Sequence, residues 1–247
     1  MTPMLELLKS LPPEASKMPR WTFNLLPSLT VSRALTDYAD NPDFDPFIAG
    51  YRAGDGHGTK QFSFPHATSV HFEGTEAQYE RVVEFARLWT EAHPEGIRAG
   101  LLNPEITEPV SIAIKAGYQT YTTDSAEETC WKDVNLEKEP FMAFHLALVD
   151  FIENELGLKV INGNRAGHRP HFTGGRFYKK AVDSGTVVFP PMKLPLDPDG
   201  KMDFEITAGP SDLSGEYHTP QYLLKAGNKV AFLYEGFLAA KARSLRG

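Results

Sequence analysis

Cysteine is nearly absent: Cys130 is the one thiol in 247 residues. A single cysteine excludes an internal disulfide and cannot by itself build a cysteine-based zinc site. Long apolar runs are missing too, and no stretch approaches the roughly 20 residues that cross a bilayer. The opening segment MTPMLELLKSLPPEASK carries Glu6 and early prolines, not the basic-then-apolar plan of a secretory signal, so a cytoplasmic protein without membrane partners is expected. Excess positive charge is also lacking. The formal charge of −7 argues against a protein that coats long DNA or RNA, which needs many Lys and Arg contacts to phosphate. No low-complexity linker divides the chain, so one domain over residues 1–247 is expected, and 41% hydrophobic with 23% charged residues is the composition of a folded core.

The positive charge that does occur is gathered. From Lys159 to Lys180 stand Lys159, Arg165, Arg169, Arg176, Lys179 and Lys180, with no acid among them. Such a run is either a solvated face or the wall of an anion site.

Local patterns predict an α+β chain. RWTFNLLPS (20–28) reads as a strand, and the segment after it as a helix capped by Ser28. Residues 40–60 are dense in Asp, Pro and Gly and read as a long loop. QFSFPHATSVHF (61–72) has strand composition. Thr75 and Gln78 form a capping box ahead of Tyr79, Val82, Val83, Ala86 and Trp89, which predicts an amphipathic helix over 76–92. GIRAGLLN (96–103) reads as a strand, residues 108–121 fit either helix or strand, and a short helix is predicted over 124–133. A second strong helix starts at Pro140 and ends near Gly157. Strands are predicted at 186–196 and 202–208, and a helix, or a strand and then a helix, at 228–247.

The chemistry is concentrated in an echo. SFPHATSVHFEG (63–74) and GHRPHFTGGRF (167–177) each contain His-x-Thr. Side chains on a strand alternate with period two, so His66 and Thr68 project to one side, as do His171 and Thr173. If the two strands are neighbours, two imidazoles and two hydroxyls converge. One neutral imidazole can take a proton from an attacking oxygen and the other, protonated, can give one to a leaving oxygen. The hydroxyls can donate to non-bridging phosphate oxygens. Arg176, three beyond Thr173, can grip phosphate bidentately. Arg169 and His168 add positive potential. His71 stands an odd number of residues from His66, which predicts the opposite face and a structural role. His145 lies in an apolar helix and reads as a core residue, His93 as a helix-end residue and His57 as a surface loop residue.

PHATSVHFEGTEAQYERVVEFARLW resembles the first motif of the 2H phosphoesterase superfamily, which includes RNA 2′,5′-ligase-like proteins and cyclic nucleotide phosphodiesterases. RPHFTGGRF is similar to the second motif, and WTFNLLPS to the family's opening strand and turn. The resemblance touches residues 20–92 and 140–180. It implies a bilobal α+β fold, with two pseudo-symmetric lobes whose antiparallel sheets face a central cleft and helices outside. It also implies metal-independent hydrolysis or transfer at a small cyclic, short or cyclic-oligonucleotide phosphodiester, with no cofactor. His66 and His171 would be the acid/base pair, Thr68 and Thr173 the phosphate donors, and Arg176 a supporting ligand. Ser69 and Gly174 depart from the apolar residue usual after the threonine, and the long gap between the histidines requires an insertion around 95–135.

Two other classes fit the same residues. One is a module that sequesters the nucleotide without turning it over. The other is a metal enzyme using His168, His171 and Glu216 or His218. GDGHG (54–58) lacks the Lys-Ser/Thr ending of a phosphate loop. Oligomeric state is left open by the sequence.

Overall fold

The computed structural model describes residues 18–39, 41–53, 62–63, 65–102, 105–107, 111–114, 117–121, 129–161, 167–210 and 222–223. Strand β1 (Arg20–Pro27) leads into helix α1 (Leu29–Ala39), whose first turn is held by Ser28 Oγ accepting from Val31 N at 3.4 Å. The segment expected to be loop instead holds a 3₁₀ turn (Pro42–Phe47) and strand β2 (Ile48–Ala53). Asn41 starts that turn by accepting from Asp43 N at 3.0 Å, and Phe44 anchors it in the core, so local side-chain capping and one buried ring outweigh the Asp/Pro/Gly composition.

After the short β3 (Phe62–Ser63) comes β4 (Ala67–Glu73), then helix α2 (Glu76–Ala92), with the capping box between Thr75 and Gln78 as the sequence predicts. β5 (Ile97–Gly100) follows. The ambiguous region forms strands: β6 (Glu105–Thr107), β7 (Ser111–Ile114) and β8 (Gly117–Tyr121). The helix predicted over 124–133 is not there from Thr129 on. Thr129–Asn135 is strand β9, because it is zipped on both sides, by β8 and by a later strand, and ladder pairing overrides local preference.

Helix α3 (Glu139–Asp150) begins with Pro140 in its first turn and continues as a π turn over Phe151–Glu155, ending at Gly157, whose φ of +63° only glycine adopts cheaply. β10 (His171–Tyr178), a short α4 (Lys179–Asp183), β11 (Met192–Leu194), β12 (Lys201–Pro210) and β13 (Tyr222–Leu223) complete the described chain. The strand expected at 186–196 shrinks to β11 because Pro190, Pro191 and Pro195 flank it and cannot donate to a ladder. The helix expected at 228–247 lies outside the described residues.

The strands form an α+β architecture. One sheet has the order β13-β12-β1-β4 with β5 also on β12, a second the order β3-β2-β10-β9-β8, and a third the order β11-β7-β6. Among the described residues all pairings are antiparallel except β2 with β3.

One apolar cluster is shared by the first two sheets, and a smaller one of Phe44, Cys130, Phe177 and Val187 packs on the second. Trp21, Phe23 and Leu25 of β1 and Ala67, Val70 and Phe72 of β4 face Tyr79, Val82 and Ala86 of α2. The same cluster runs through Phe141, Phe144 and Leu148 of α3 to Val134 and Phe172 of the second sheet. Trp21 stacks on Tyr79 at 4.0 Å and donates its indole N–H to Gly74 O at 2.8 Å. Backbone bonds tie the end of β5 to the end of β9, Leu102 N donating to Asn135 O at 2.9 Å and Glu137 N to Gly100 O at 3.0 Å, and Ile161 N, in the segment after α3, donates to His71 O of β4 at 2.7 Å. Among the described residues no helix is long and apolar enough to cross a membrane.

Candidate functional site

The second His-x-Thr lies on β10 and the first straddles the start of β4, His66 immediately preceding the strand, one in each five-stranded sheet, and Cα atoms of these two strands come within 8 Å of each other. Each strand carries one extra residue immediately after its threonine. On β4 the pairing with β1 runs Phe23↔Val70 and then Asn24↔Thr68, so Ser69 is a bulge. On β10 the pairing with β9 runs Thr173↔Asp133 and then Gly175↔Lys132, so Gly174 is a bulge. A bulge reverses which face odd and even residues occupy beyond it.

On the first sheet this separates the residues cleanly. Ala67, Val70 and Phe72, opposite Leu25, Phe23 and Trp21, make the apolar face. Thr68 opposite Asn24 and His71 opposite Thr22 make the polar one, and His66, one residue before Ala67, falls on the polar side. The sequence expectation for His71 is thereby corrected: odd spacing would separate it from His66, but the bulge at Ser69 returns it to the same face. Burial first, then His66 and Arg20, pull the His71 imidazole down to about 4, so it is neutral at pH 7. The Thr22 hydroxyl lies between Asn24 Oδ1 at 3.1 Å and Val70 O at 3.3 Å. Arg20 pairs with Glu73 at 2.8 Å at the end of this face. His66 and Thr68 are half-buried.

The second half has the same logic with different chemistry. His171 opposite Asn135 and Thr173 opposite Asp133 share a face, Phe172 opposite Val134 faces the core, and the bulge returns position 176, in register with Trp131, to the face of Thr173. Gly174 fits its place because a Cβ there would stand 3.3 Å from Lys132 O. His171 Nδ1 is 2.8 Å from Arg169 O. A carbonyl only accepts, so Nδ1 carries the proton and Nε2 is the nitrogen left for a ligand.

Asp133 has no forerunner in the sequence reading. Its side chain is 1% exposed, its Oδ2 accepts from Arg169 Nη2 at 2.9 Å, and its Oδ1 accepts from the Thr173 hydroxyl at 3.4 Å. Burial raises its pKa, while His171, Arg169 and the Thr173 hydroxyl work the other way.

Behind both motifs lies a pair of histidines. Ser69 Oγ is 3.5 Å from His145 Nδ1, and the His145 ring stacks on His168 at 3.9 Å and 9°. His145 is fully buried, as its place in an apolar helix implied. Burial, then His145, His171 and Lys138, pull His168 down to about 3. The positive potential expected of His168 is therefore absent at neutral pH: a protonated ring there would lie against another imidazole out of water.

The basic run is likewise less free than its sequence suggests. Arg169 is on Asp133 and Lys179 on Asp183, acids that come from elsewhere in the chain or beyond the run, and Arg165 lies outside the described residues. His93 sits at the end of α2, its Nδ1 2.8 Å from Trp89 O. Cys130 is buried in β9, and burial pushes its thiol up, away from thiolate chemistry.

Glu216, His218 and His57 lie outside the described residues. Among those described, no three His, Cys, Asp or Glu side chains are grouped to hold a metal ion.

No protein-family model matches the chain, and no curated protein matches it. Among solved structures, Usb1 of Kluyveromyces marxianus is similar at 13% identity over 78% of this chain and 94% of that chain, with a TM-score of 0.40. A likeness of that degree does not assign a family.

Proposed function

We propose that the protein is a phosphodiesterase acting on a small cyclic phosphate or a short or cyclic oligonucleotide, with the polar faces of the two motif-bearing sheets as two lobes around one cleft. His66 and His171 serve as acid and base, Thr68 and Thr173 donate to the non-bridging oxygens, and Arg176 supports the phosphate. The observation that carries this reading is the repeated bulge. In both strands the residue after His-x-Thr is extra, so two chain segments far apart in sequence present the same pair of groups in the same local geometry.

The arrangement suits phosphoryl chemistry. In-line displacement at phosphorus needs a proton removed on one side and delivered on the other, which one imidazole on each of two strands can do. Thr68 can donate to the equatorial oxygens as charge moves onto them, and Thr173 can do the same by turning its single O–H away from Asp133. This mechanism draws on the chain's own groups and needs no metal. The acidic net charge favours a small ligand over long nucleic acid. In this reading Arg169 and His168 act from behind the site.

The test is turnover of 2′,3′-cyclic mononucleotides, 2′,5′-linked oligoadenylate and cyclic dinucleotides, in chelator, by wild type, His66→Ala and His171→Ala. Activity that survives chelator and falls at least a hundredfold in both variants is the expected result. No turnover, with nucleotide binding equal in all three proteins, would replace this reading with a sequestering module. Turnover abolished by chelator would replace it with a metal enzyme.

A further inference from the structure

We infer that Asp133 is a positioning residue for the His171 half of the site, acting through Arg169. It rests on the reading that His171 does acid–base work.

The geometry is a closed circuit. Asp133 holds the Arg169 guanidinium through Oδ2 at 2.9 Å, Arg169 offers its own carbonyl to His171 Nδ1 at 2.8 Å, and Thr173 donates to Asp133 Oδ1 at 3.4 Å. The strand register sets these groups side by side, with Thr173 directly opposite Asp133 and His171 directly opposite Asn135. A carboxylate at 1% exposure is costly to bury, and an arginine that is 38% exposed gives up part of its hydration to reach it. The pair fixes the backbone at Arg169, two residues before the histidine. With that carbonyl fixed, Nδ1–H has one acceptor and Nε2 points at the ligand in one tautomer.

Arg169 therefore does not face phosphate as a free cation. Its charge is met by Asp133, and its contribution to the site is the carbonyl. Asp133 touches no reacting atom, so a loss on its removal comes from an imidazole that is no longer held.

Lys132 and Cys130, also on β9, feel the Asp133 charge. His168 lies on the approach to β10, stacked on His145 of α3 and influenced by Lys138 at the start of α3. None supplies a second carboxylate.

The conservative variant Asp133→Asn separates the contacts. Its amide oxygen can still accept from Thr173, but its NH₂ then meets the Arg169 donors, so the strut fails while the Thr173 bond persists. The first readout is the ¹⁵N spectrum of the His171 ring at pH 8 in the full-length protein. Wild type is expected to show a single Nδ1-protonated tautomer, and Asp133→Asn and Arg169→Gln a mixture. Kinetically, both variants are expected to lose ten- to a hundredfold in kcat with KM within threefold. The double variant should lose no more than the worse single one, since both break the same strut.

An unchanged tautomer in both variants, or kcat losses that multiply in the double variant, would overturn the inference. If Asp133→Asn does not fold, Arg169→Lys is read in its place, since it keeps the charge and loses the planar fork. The ring spectrum needs no turnover. Its failure counts against Asp133 alone, whereas full activity in His171→Ala counts against the proposed reaction.

Discussion

At the scale of single residues, the two threonines are alike in sequence and unlike in surroundings. Thr68 faces Asn24 across the ladder, whereas Thr173 faces a buried carboxylate to which it donates. In the proposed reaction each hydroxyl must donate to phosphate, Thr173 by turning its single O–H away from Asp133, and removal of one such donor costs about 10²–10³ in kcat. Thr68→Val and Thr173→Val should both lose about that much. Thr173→Val should in addition lower the urea midpoint, because Asp133 keeps its burial but loses one of its donors. Thr68→Val should leave stability within about 0.5 kcal/mol. Equal stability losses in the two variants would mean that the Thr173–Asp133 bond, long at 3.4 Å, contributes nothing.

At the scale of elements, the bulges decide which residues can meet a ligand. Ser69 does this by being an extra residue, not by its hydroxyl, whose one described contact is to His145 at 3.5 Å. Deleting Ser69 restores regular alternation across β4, so the segment holding His66 and Thr68 and the segment holding His71 can no longer share a face. Deletion is expected to cost at least a hundredfold in activity and a measurable fall in thermal midpoint. Ser69→Ala keeps the bulge and should stay within threefold of wild-type turnover. A deletion variant with normal kcat would show that face assignment by the bulge is irrelevant to function.

Gly174 does the same on β10, and its tight approach to the Lys132 carbonyl explains why a glycine follows Thr173 where a serine follows Thr68.

Across the whole molecule, what was legible in the sequence was whatever is decided locally. The capping box of Thr75 and Gln78 set the start of α2, Pro140 the start of α3, and the two His-x-Thr pairs were visible as strings. What was not legible depends on a partner strand. A bulge exists only relative to its neighbour, so the face of His71 needed β1. Asp133 matters because it lies opposite Thr173, forty residues on, and its strand does not show in the local sequence because it is β8 and β10 that hold it open.

The same long-range assembly makes the protein sensitive to acid. His71 and His168 are buried neutral by groups from distant segments, at about 4 and about 3, against 6.5 when unfolded. Above pH 6.5 neither state binds the proton and these residues contribute no pH dependence. Below 6.5 the unfolded chain takes up protons that the fold refuses, so stability falls with pH, down to about 4 for His71 and about 3 for His168. The loss is at most roughly 1.4 kcal/mol per pH unit for each histidine. Asp133, raised by burial, runs the opposite way: its penalty for being ionised in the fold is relieved as pH falls through its folded value, which offsets part of the loss.

The urea midpoint of wild type should therefore be flat from pH 8 to 7 and drop clearly by pH 5, and His168→Asn should drop less over the same interval. A protonated His168 would lie against the His145 ring out of water, so the variant removes one proton-uptake site from the difference between states. A midpoint in wild type that is unchanged at pH 5, or a variant whose decline matches wild type, would mean that His168 is not held neutral in the fold.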